Sequence, residues 1–270
     1  MGKLSSLNGI SGQVGSILSA VIASLLGPTL GWRGLFLVGL FPLLLVLYMK
    51  LFIDDEKVTN RYFKHKKQKE GISIKALFKT PKLSYQTLIL MLMTTIQIAG
   101  YFGMMNWLPK MMQTALGISV KDSSTWMIAT IVGMSIGMLV FGIILDKLGP
   151  RLTYGLFLLS SSICVFLFQY ATTATSMLIG GAVVGFFVNG MFSGYGAIIS
   201  RLYPAEIHAI ANNLILNVGR AVGGFSSVII GFILDISTTN MVMIFLSSLY
   251  LLSFLGMMTL PALKRKNYQK

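Results

Sequence analysis

Residues 142–153 read GIILDKLGPRLT and set an acid, Asp146, beside two bases, Lys147 and Arg151, between two long apolar runs. Charges at such a turn hold it in water and can grip neighbouring helix ends, since a helix N-terminus attracts a carboxylate and a C-terminus a cation. Gly149 gives the turn conformational freedom that a larger residue lacks. A second charged residue stands apart. Arg220 lies well inside an apolar run, about ten residues or roughly 15 Å deep at 1.5 Å per residue. A cation at that depth costs about 3 kcal/mol on insertion scales and is normally paired or functional. Asn213, Asn217, Arg220, Gly224 and Ser227 follow helical spacing and predict one polar stripe facing a cavity. No Asp or Glu lies deep in any apolar run. The counter-charge must therefore come from a bound anion, from other helices or from snorkelling, and both an anion contact and a structural pairing fit. Gln97 with Tyr101, and Asn189 with Ser193, stand one helical turn apart. Each pair is placed either to line a cavity or to hydrogen-bond between helices.

Several chemistries are disfavoured. Asp54, Asp55 and Glu56 form the one acid cluster, a contiguous run without helical spacing. This is a poor basis for a metal-dependent membrane enzyme such as a lipid-phosphate transferase, and we expect no metal, no cofactor and no enzyme. The single cysteine, Cys164, allows no disulfide framework. The net charge of +14 could suggest nucleic acid, but its distribution points instead to membrane topology.

The elements that must position these residues are long apolar helices. The chain has 270 residues, 54% of them hydrophobic and 11% charged, with mean hydropathy +0.76. A soluble domain carries about 25% charged residues. Here the charges sit in islands between runs long enough to span about 30 Å of hydrocarbon as helices. We therefore predict an all-α, multi-pass membrane protein with about eight spans: residues 8–26, 34–53, 84–108, 125–145, 153–171, 177–200, 210–234 and 241–261. Its main partner is the lipid bilayer, with no nucleic acid.

One long connection, residues 54–83, carries nine basic residues from Lys57 to Lys82 and separates residues 1–53 from the block 84–270. Its second half, ISIKALFK, reads as amphipathic and fits a membrane surface. Cytoplasmic loops retain Lys and Arg. Starting inside places Lys3, Lys50, the linker, Lys147, Arg151, Arg201 and the C-terminal bases on one side, with Arg33, Lys110 and Lys121 opposite. Both termini are then cytoplasmic, and the expected location is the plasma membrane. A faint internal echo, GQVGSILSAVIASLL (12–26) on GRAVGGFSSVIIGFI (219–233), is what a structural repeat would leave.

The 142–153 turn resembles the signature loop of the major facilitator superfamily, usually written G-x-x-x-D-R/K-x-G-R-R/K. Gly142, Asp146, Lys147, Gly149 and Arg151 match, and Pro150 replaces a common base. GWRGLFLVG (31–39) resembles the family's turn between helices five and six, and NWLPKMMQ (106–113) the outer end of helix seven. RLYPAEIHAIANN (201–213) resembles the segment entering helix eleven, with His208 where an arginine is usual.

The resemblance implies that the spans correspond to helices five to twelve. Residues 1–53 would then end one six-helix half, 54–83 would be the cytoplasmic linker, and 84–270 would be the complete other half. It implies a secondary active transporter in which Asp146 belongs to a cytoplasmic gate. Helices one, four, seven and ten line the cavity in that family, which places Gln97, Tyr101, Asn189 and Ser193 well. The expected function is proton-coupled symport of a small organic anion or sugar-like metabolite, driven by the proton gradient. The first four helices would come from elsewhere, including a separate chain. The alternatives are a non-transporting remnant and, more remotely, the membrane enzyme.

Overall fold

The computed structural model describes residues 2–52, 73–117 and 120–264, and within them every regular element is helical. In chain order these are α1 (Gly2–Val38), α2 (Pro42–Phe52), a 3-10 turn (Ile74–Phe78), α3 (Pro81–Leu116), α4 (Val120–Leu148), α5 (Pro150–Phe168), α6 (Ala174–Gly190), a 3-10 turn (Met191–Ser193), α7 (Gly194–Leu202), α8 (His208–Gly224), α9 (Ser226–Ile236), α10 (Thr239–Met258) and a last 3-10 turn (Pro261–Leu263). Among the described residues, 7 segments are long and apolar enough to cross a membrane: Arg33–Leu51, Pro81–Trp107, Met127–Leu148, Pro150–Phe168, Ala174–Leu202, His208–Ile236 and Thr239–Met258. The protein is an integral, multi-pass, all-α membrane protein. Residues 8–26, the first expected span, are helical within α1 but not among the 7. Several of their side chains lie outside the described residues.

The chain divides into two compact units, Gly15–Ser73 and a larger one made of Met1–Val14 with Ile74–Lys270. In the smaller unit, Gly31 breaks the helical path of α1 at φ 63°, inside the expected 31–39 turn. The amides of Leu40 and Phe41 bond back to Leu37 and Val38 at 3.0 Å before Pro42 starts α2. Most of the basic linker lies outside the described residues. At its end, the expected amphipathic stretch is a short 3-10 turn that buries Leu77 completely and exposes Ile74 and Phe78.

Sequence signals set the ends of the helices in the larger unit. Thr80 caps α3 by accepting the Leu83 amide at 3.3 Å, with Pro81 in the first turn, where its missing N–H costs nothing. Gly117 ends α3 at φ 64°, its N–H bonded to the Gln113 carbonyl at 2.9 Å. At the start of α6, Thr173 and Ser176 bond one another's amides in a capping box.

Between helices, close backbone approach accompanies a shared apolar core that includes Phe141, Phe157 and Leu246. The α4–α6 pair is the most extensive among the described residues. Gly133 and Gly137 of α4 lie against the carbonyls of Ala182 and Phe186, while Gly185 and Gly190 of α6 approach Thr130 and Gly137 in return. This reciprocal seam lets the two backbones meet as they do at small-residue interfaces in membranes. The α5–α10 pair is joined by Ser162 and Ser247, each hydroxyl bonding the other's carbonyl at 3.0 and 2.8 Å. A methyl group at Gly137 would overlap the Phe186 carbonyl, whereas nothing lies within 4 Å of one at Gly224. Gly137→Ala should therefore destabilise the fold by about 1–3 kcal/mol, and Gly224→Ala should be close to neutral. Thermal unfolding of the purified chain in detergent compares them.

Candidate functional site

The charged turn forms as its residues predict. Asp146 and Lys147 are exposed on the last turn of α4, while Gly142 and Gly149 are buried. Gly149 takes φ 84°, a backbone conformation that a side chain would strain, and its N–H closes on the Leu145 carbonyl at 3.1 Å. Pro150 then opens α5. Arg151 donates from Nη2 to the Met258 carbonyl at 2.6 Å, so its cation sits at the C-terminal end of α10, where the helix dipole favours positive charge.

Other bonds cluster at the same end of the bundle. Tyr85 bonds the Thr259 hydroxyl at 2.6 Å, Gln86 donates to the Leu202 carbonyl at 3.3 Å, and Thr87 shares a hydrogen bond with the Tyr203 hydroxyl at 2.8 Å. Burial pushes the Tyr203 phenol above its usual pKa, opposed by the bonds with Thr87 and Gln86. It therefore stays protonated and serves as a structural hydroxyl. The first turns of α3 thus hold the ends of α7 and α10 beside the Arg151 contact. His208, the lone histidine of the 201–213 stretch, is the first residue of α8 and is half-buried.

At mid-bundle, α8 has two faces. Ala211, Ile215, Gly219 and Gly223 are buried at every fourth position. Gly219 meets Thr94, and Gly223 meets the Thr95 carbonyl and the Ala99 amide, so this face lies on α3. Thr94 adds a hydrogen bond from its hydroxyl to the Ile215 carbonyl at 3.1 Å. Asn213, Asn217 and Arg220 lie on the other face and are exposed. Arg220 donates from Nη1 to Asn217 Oδ1 at 3.4 Å. The glycine contacts set its depth at the level of Thr94 to Ala99.

The expected stripe ends there. Phe225 separates α8 from α9, and Ser227 of α9 is tied to α3. Its hydroxyl accepts from Asn106 Nδ2 at 2.9 Å and its carbonyl from Trp107 Nε1 at 3.1 Å. Gly224 is half-buried at the break.

Gln97 is fully buried, and its Nε2 points to the Val188 carbonyl at 3.4 Å and Asn189 Oδ1 at 3.5 Å. Asn189 and Ser193 are also buried, and Ser193 donates to the carbonyls of Gly190 at 3.0 Å and Met138 at 3.3 Å. Tyr101 is half-buried, its ring edge-on to Phe102 at 5.5 Å. The structure therefore brings Gln97 and Asn189 together across α3 and α6. It keeps them apart from the exposed group of Asn213, Asn217 and Arg220. Thr94, Ser226 and Trp107 join the two broken helices to α3 and had no distinguishing mark in the sequence, since each is one polar atom in an apolar run.

Among the described residues no cluster of His, Cys, Asp or Glu could hold a metal ion. The sequence profile of the Major Facilitator Superfamily matches residues 1–133 and 90–270. The chain is 33% identical to a Haemophilus influenzae protein named for metabolite transport, over 98% of this chain and 66% of the relative. It is 24% identical to the cis,cis-muconate transport protein of Acinetobacter baylyi, over 94% of this chain and 62% of that one. It is 28% identical to the 3-(3-hydroxy-phenyl)propionate transporter of Escherichia coli, over 77% and 50% respectively. The chain thus spans between half and two thirds of the length of these relatives, and each name describes a transporter rather than an enzyme.

Arg151→Ala removes the cation from the end of α10. A charge-assisted bond at a half-exposed position contributes about 1 kcal/mol, so amide exchange of residues 259–263 should accelerate about fivefold. Exchange in α8 should stay as it is. Hydrogen–deuterium exchange with mass spectrometry reads both.

Proposed function

The chain belongs to the Major Facilitator Superfamily, and we propose that it works within a secondary active transporter that moves a small organic anion, a carboxylate, across the plasma membrane with protons. The observation that carries this reading is Arg220, a cation at mid-bundle depth, exposed on α8, with Asn217 as its hydrogen-bond partner. Facing lipid, a guanidinium would cost about 3 kcal/mol or more, so such a residue turns to an aqueous cavity or a bound counter-charge. A carboxylate fits because a guanidinium presents paired N–H donors in the geometry that two carboxylate oxygens accept. Asn213 and Asn217 on the same face add neutral donors and acceptors for the rest of the molecule. Two of the relatives are named for carboxylates, muconate and a hydroxyphenylpropionate.

The exposed Asp146–Lys147 turn and the Arg151 contact would serve as the gate at the cytoplasmic end, with both termini on that side. In this reading Gln97 and Asn189 hold the wall of the cavity in shape from behind, and Tyr101 and Ser193 stand at its edge. The greater length of the relatives supports a working unit that includes further helices, on the same chain or a second one.

The test is uptake of radiolabelled cis,cis-muconate and 3-(3-hydroxyphenyl)propionate by cells expressing the chain within a transporter of the relatives' length. We expect saturable uptake that collapses when a protonophore removes the gradient. Arg220→Ala should lower it at least a hundredfold at unchanged protein level. Arg220→Lys should retain a fraction, because a lysine keeps the charge but not the paired donors. Uptake of neither acid would overturn the carboxylate reading, and full uptake by the alanine variant would remove Arg220 from the site.

A further inference from the structure

The entrance to α3 joins bases and exposed apolar side chains on one short, fixed stretch of chain. The 3-10 turn at Ile74–Phe78 packs against α3 and α8. Leu77 is fully buried in the core, and its carbonyl lies 3.5 Å from the Thr87 hydroxyl. This contact pins the turn to the bundle. Two other apolar residues of the turn stay outside, Ile74 at 54% exposed and Phe78 at 41%. Lys75, Lys79 and Lys82 are exposed beside them, and no acid occurs from Ile74 to Leu88.

The level and direction of this stretch follow from α3. The membrane-crossing segment begins at Pro81, so Phe78 and Lys79 stand just before it and Lys82 lies in its first turn. Lys82, Tyr85 and Leu88 are exposed at successive steps of three, whereas Gln86, Thr87, Leu90 and Met93 are buried. Residues at that spacing share one helix face. Along this face Leu88 is deepest, Tyr85 comes next and Lys82 stands at the rim. An apolar residue, a tyrosine and a lysine in that order match hydrocarbon, interface and headgroup along a lipid-facing helix.

Bases that merely hold a loop in water need no apolar company. Here a buried anchor, Leu77, keeps Ile74 and Phe78 outward beside the bases, an arrangement that suits the boundary between headgroups and acyl chains. Ammonium groups at that level attract anionic lipid. The chain from Lys79 to Lys82 spans at most about 11 Å, so both bases act on the same patch of headgroups. Further bases lie at this end of the bundle. Tyr85 bonds the Thr259 hydroxyl at 2.6 Å, five residues before the exposed Lys264, and Arg151 bonds the adjacent Met258 carbonyl.

We propose that residues 74–82 form a docking surface for anionic phospholipid, in which Lys79 and Lys82 attract the headgroup phosphates while Ile74 and Phe78 enter the layer beneath them. Lys75 adds to the field. Lipid bound there fixes the level at which α3 enters the bilayer. The inference is independent of what Arg220 binds.

Native mass spectrometry of the purified full chain, titrated with phosphatidylglycerol and phosphatidylcholine of the same acyl chains, reads the preference. We expect the anionic lipid to bind about twentyfold more tightly, with each lysine accounting for about fivefold. Lys79→Gln with Lys82→Gln should remove most of that ratio, and Lys79→Arg with Lys82→Arg should keep it. Lys110→Gln, at the other end of α3, should leave it unchanged. Phe78→Ser should weaken both lipids alike. A ratio near one in the unaltered chain, or one that the glutamine pair leaves as it is, would overturn the surface. Excess glycerol phosphate should not displace the lipid, and displacement would assign the bases to a soluble anion instead. The preference should persist in a transporter of the relatives' length. Its loss there would give this face to the further helices and overturn the lipid assignment.

Discussion

The bilayer core offers no water for an unpaired backbone group and gives apolar side chains little reason to prefer each other over lipid. Helices there are held by van der Waals packing, by close backbone approach and by hydrogen bonds between them. The larger unit of this chain shows the last two devices assigned to different helix pairs. The α4–α6 pair relies on four glycines that interlock from both sides. The α3–α8 pair has glycines on one side only, Gly219 and Gly223, and adds the Thr94 hydroxyl bond to the Ile215 carbonyl, while α3 and α9 are joined by the Ser226 hydroxyl on the Ala99 carbonyl and the Trp107 indole on the Ser227 carbonyl. Glycines on both sides fix a pair by shape. Glycines on one side, supplemented by single hydrogen bonds, leave an interface whose contacts can be exchanged a few at a time.

The second arrangement lies where the spanning helices are interrupted. The segment from α6 to α7 changes to a 3-10 turn at Met191–Ser193, and the segment from α8 to α9 breaks at Phe225. Residues 97–100 of α3 touch both regions. Gln97 reaches Val188 and Asn189 just before the first break, and the Ala99 carbonyl accepts the Ser226 hydroxyl just after the second at 3.0 Å. A mid-helix 3-10 stretch commonly marks a hinge, and discontinuous helices near the midplane are a recurrent feature of transporters. Both breaks are thus fastened to one turn of α3.

Much of this was legible from residue types. Apolar runs between charge islands gave the helices, and GIILDKLGPRLT gave the turn at Gly149, whereas Thr80 and Gly117 end α3 beyond the expected span 84–108. Asn213, Asn217 and Arg220 share a face because their spacing is helical. Ser227 is engaged by Asn106 and Trp107 of α3, a tertiary contact that nothing in GGFSS announces. Gln97 and Asn189 are each visible as a polar residue in an apolar run, but their pairing is a tertiary fact between residues 92 positions apart.

The periodicity that packs α8 also makes its exposed face polar. At 100° per residue, the buried positions 211, 215, 219 and 223 and the polar positions 213, 217 and 220 are centred about 150° apart. The glycine seam therefore cannot rotate to shelter Arg220 without lifting Gly219 from Thr94 and Gly223 from Ala99. Stability within the larger unit is thus secured by contacts that hold the guanidinium outward, where Asn217 is its neutral partner. A cation kept at bilayer depth by its own helix packing is a standing electrostatic demand, and whatever meets it must come to that face. In the proposed reading a carboxylate would meet it and then leave, since the packing that presents Arg220 is made between α3 and α8.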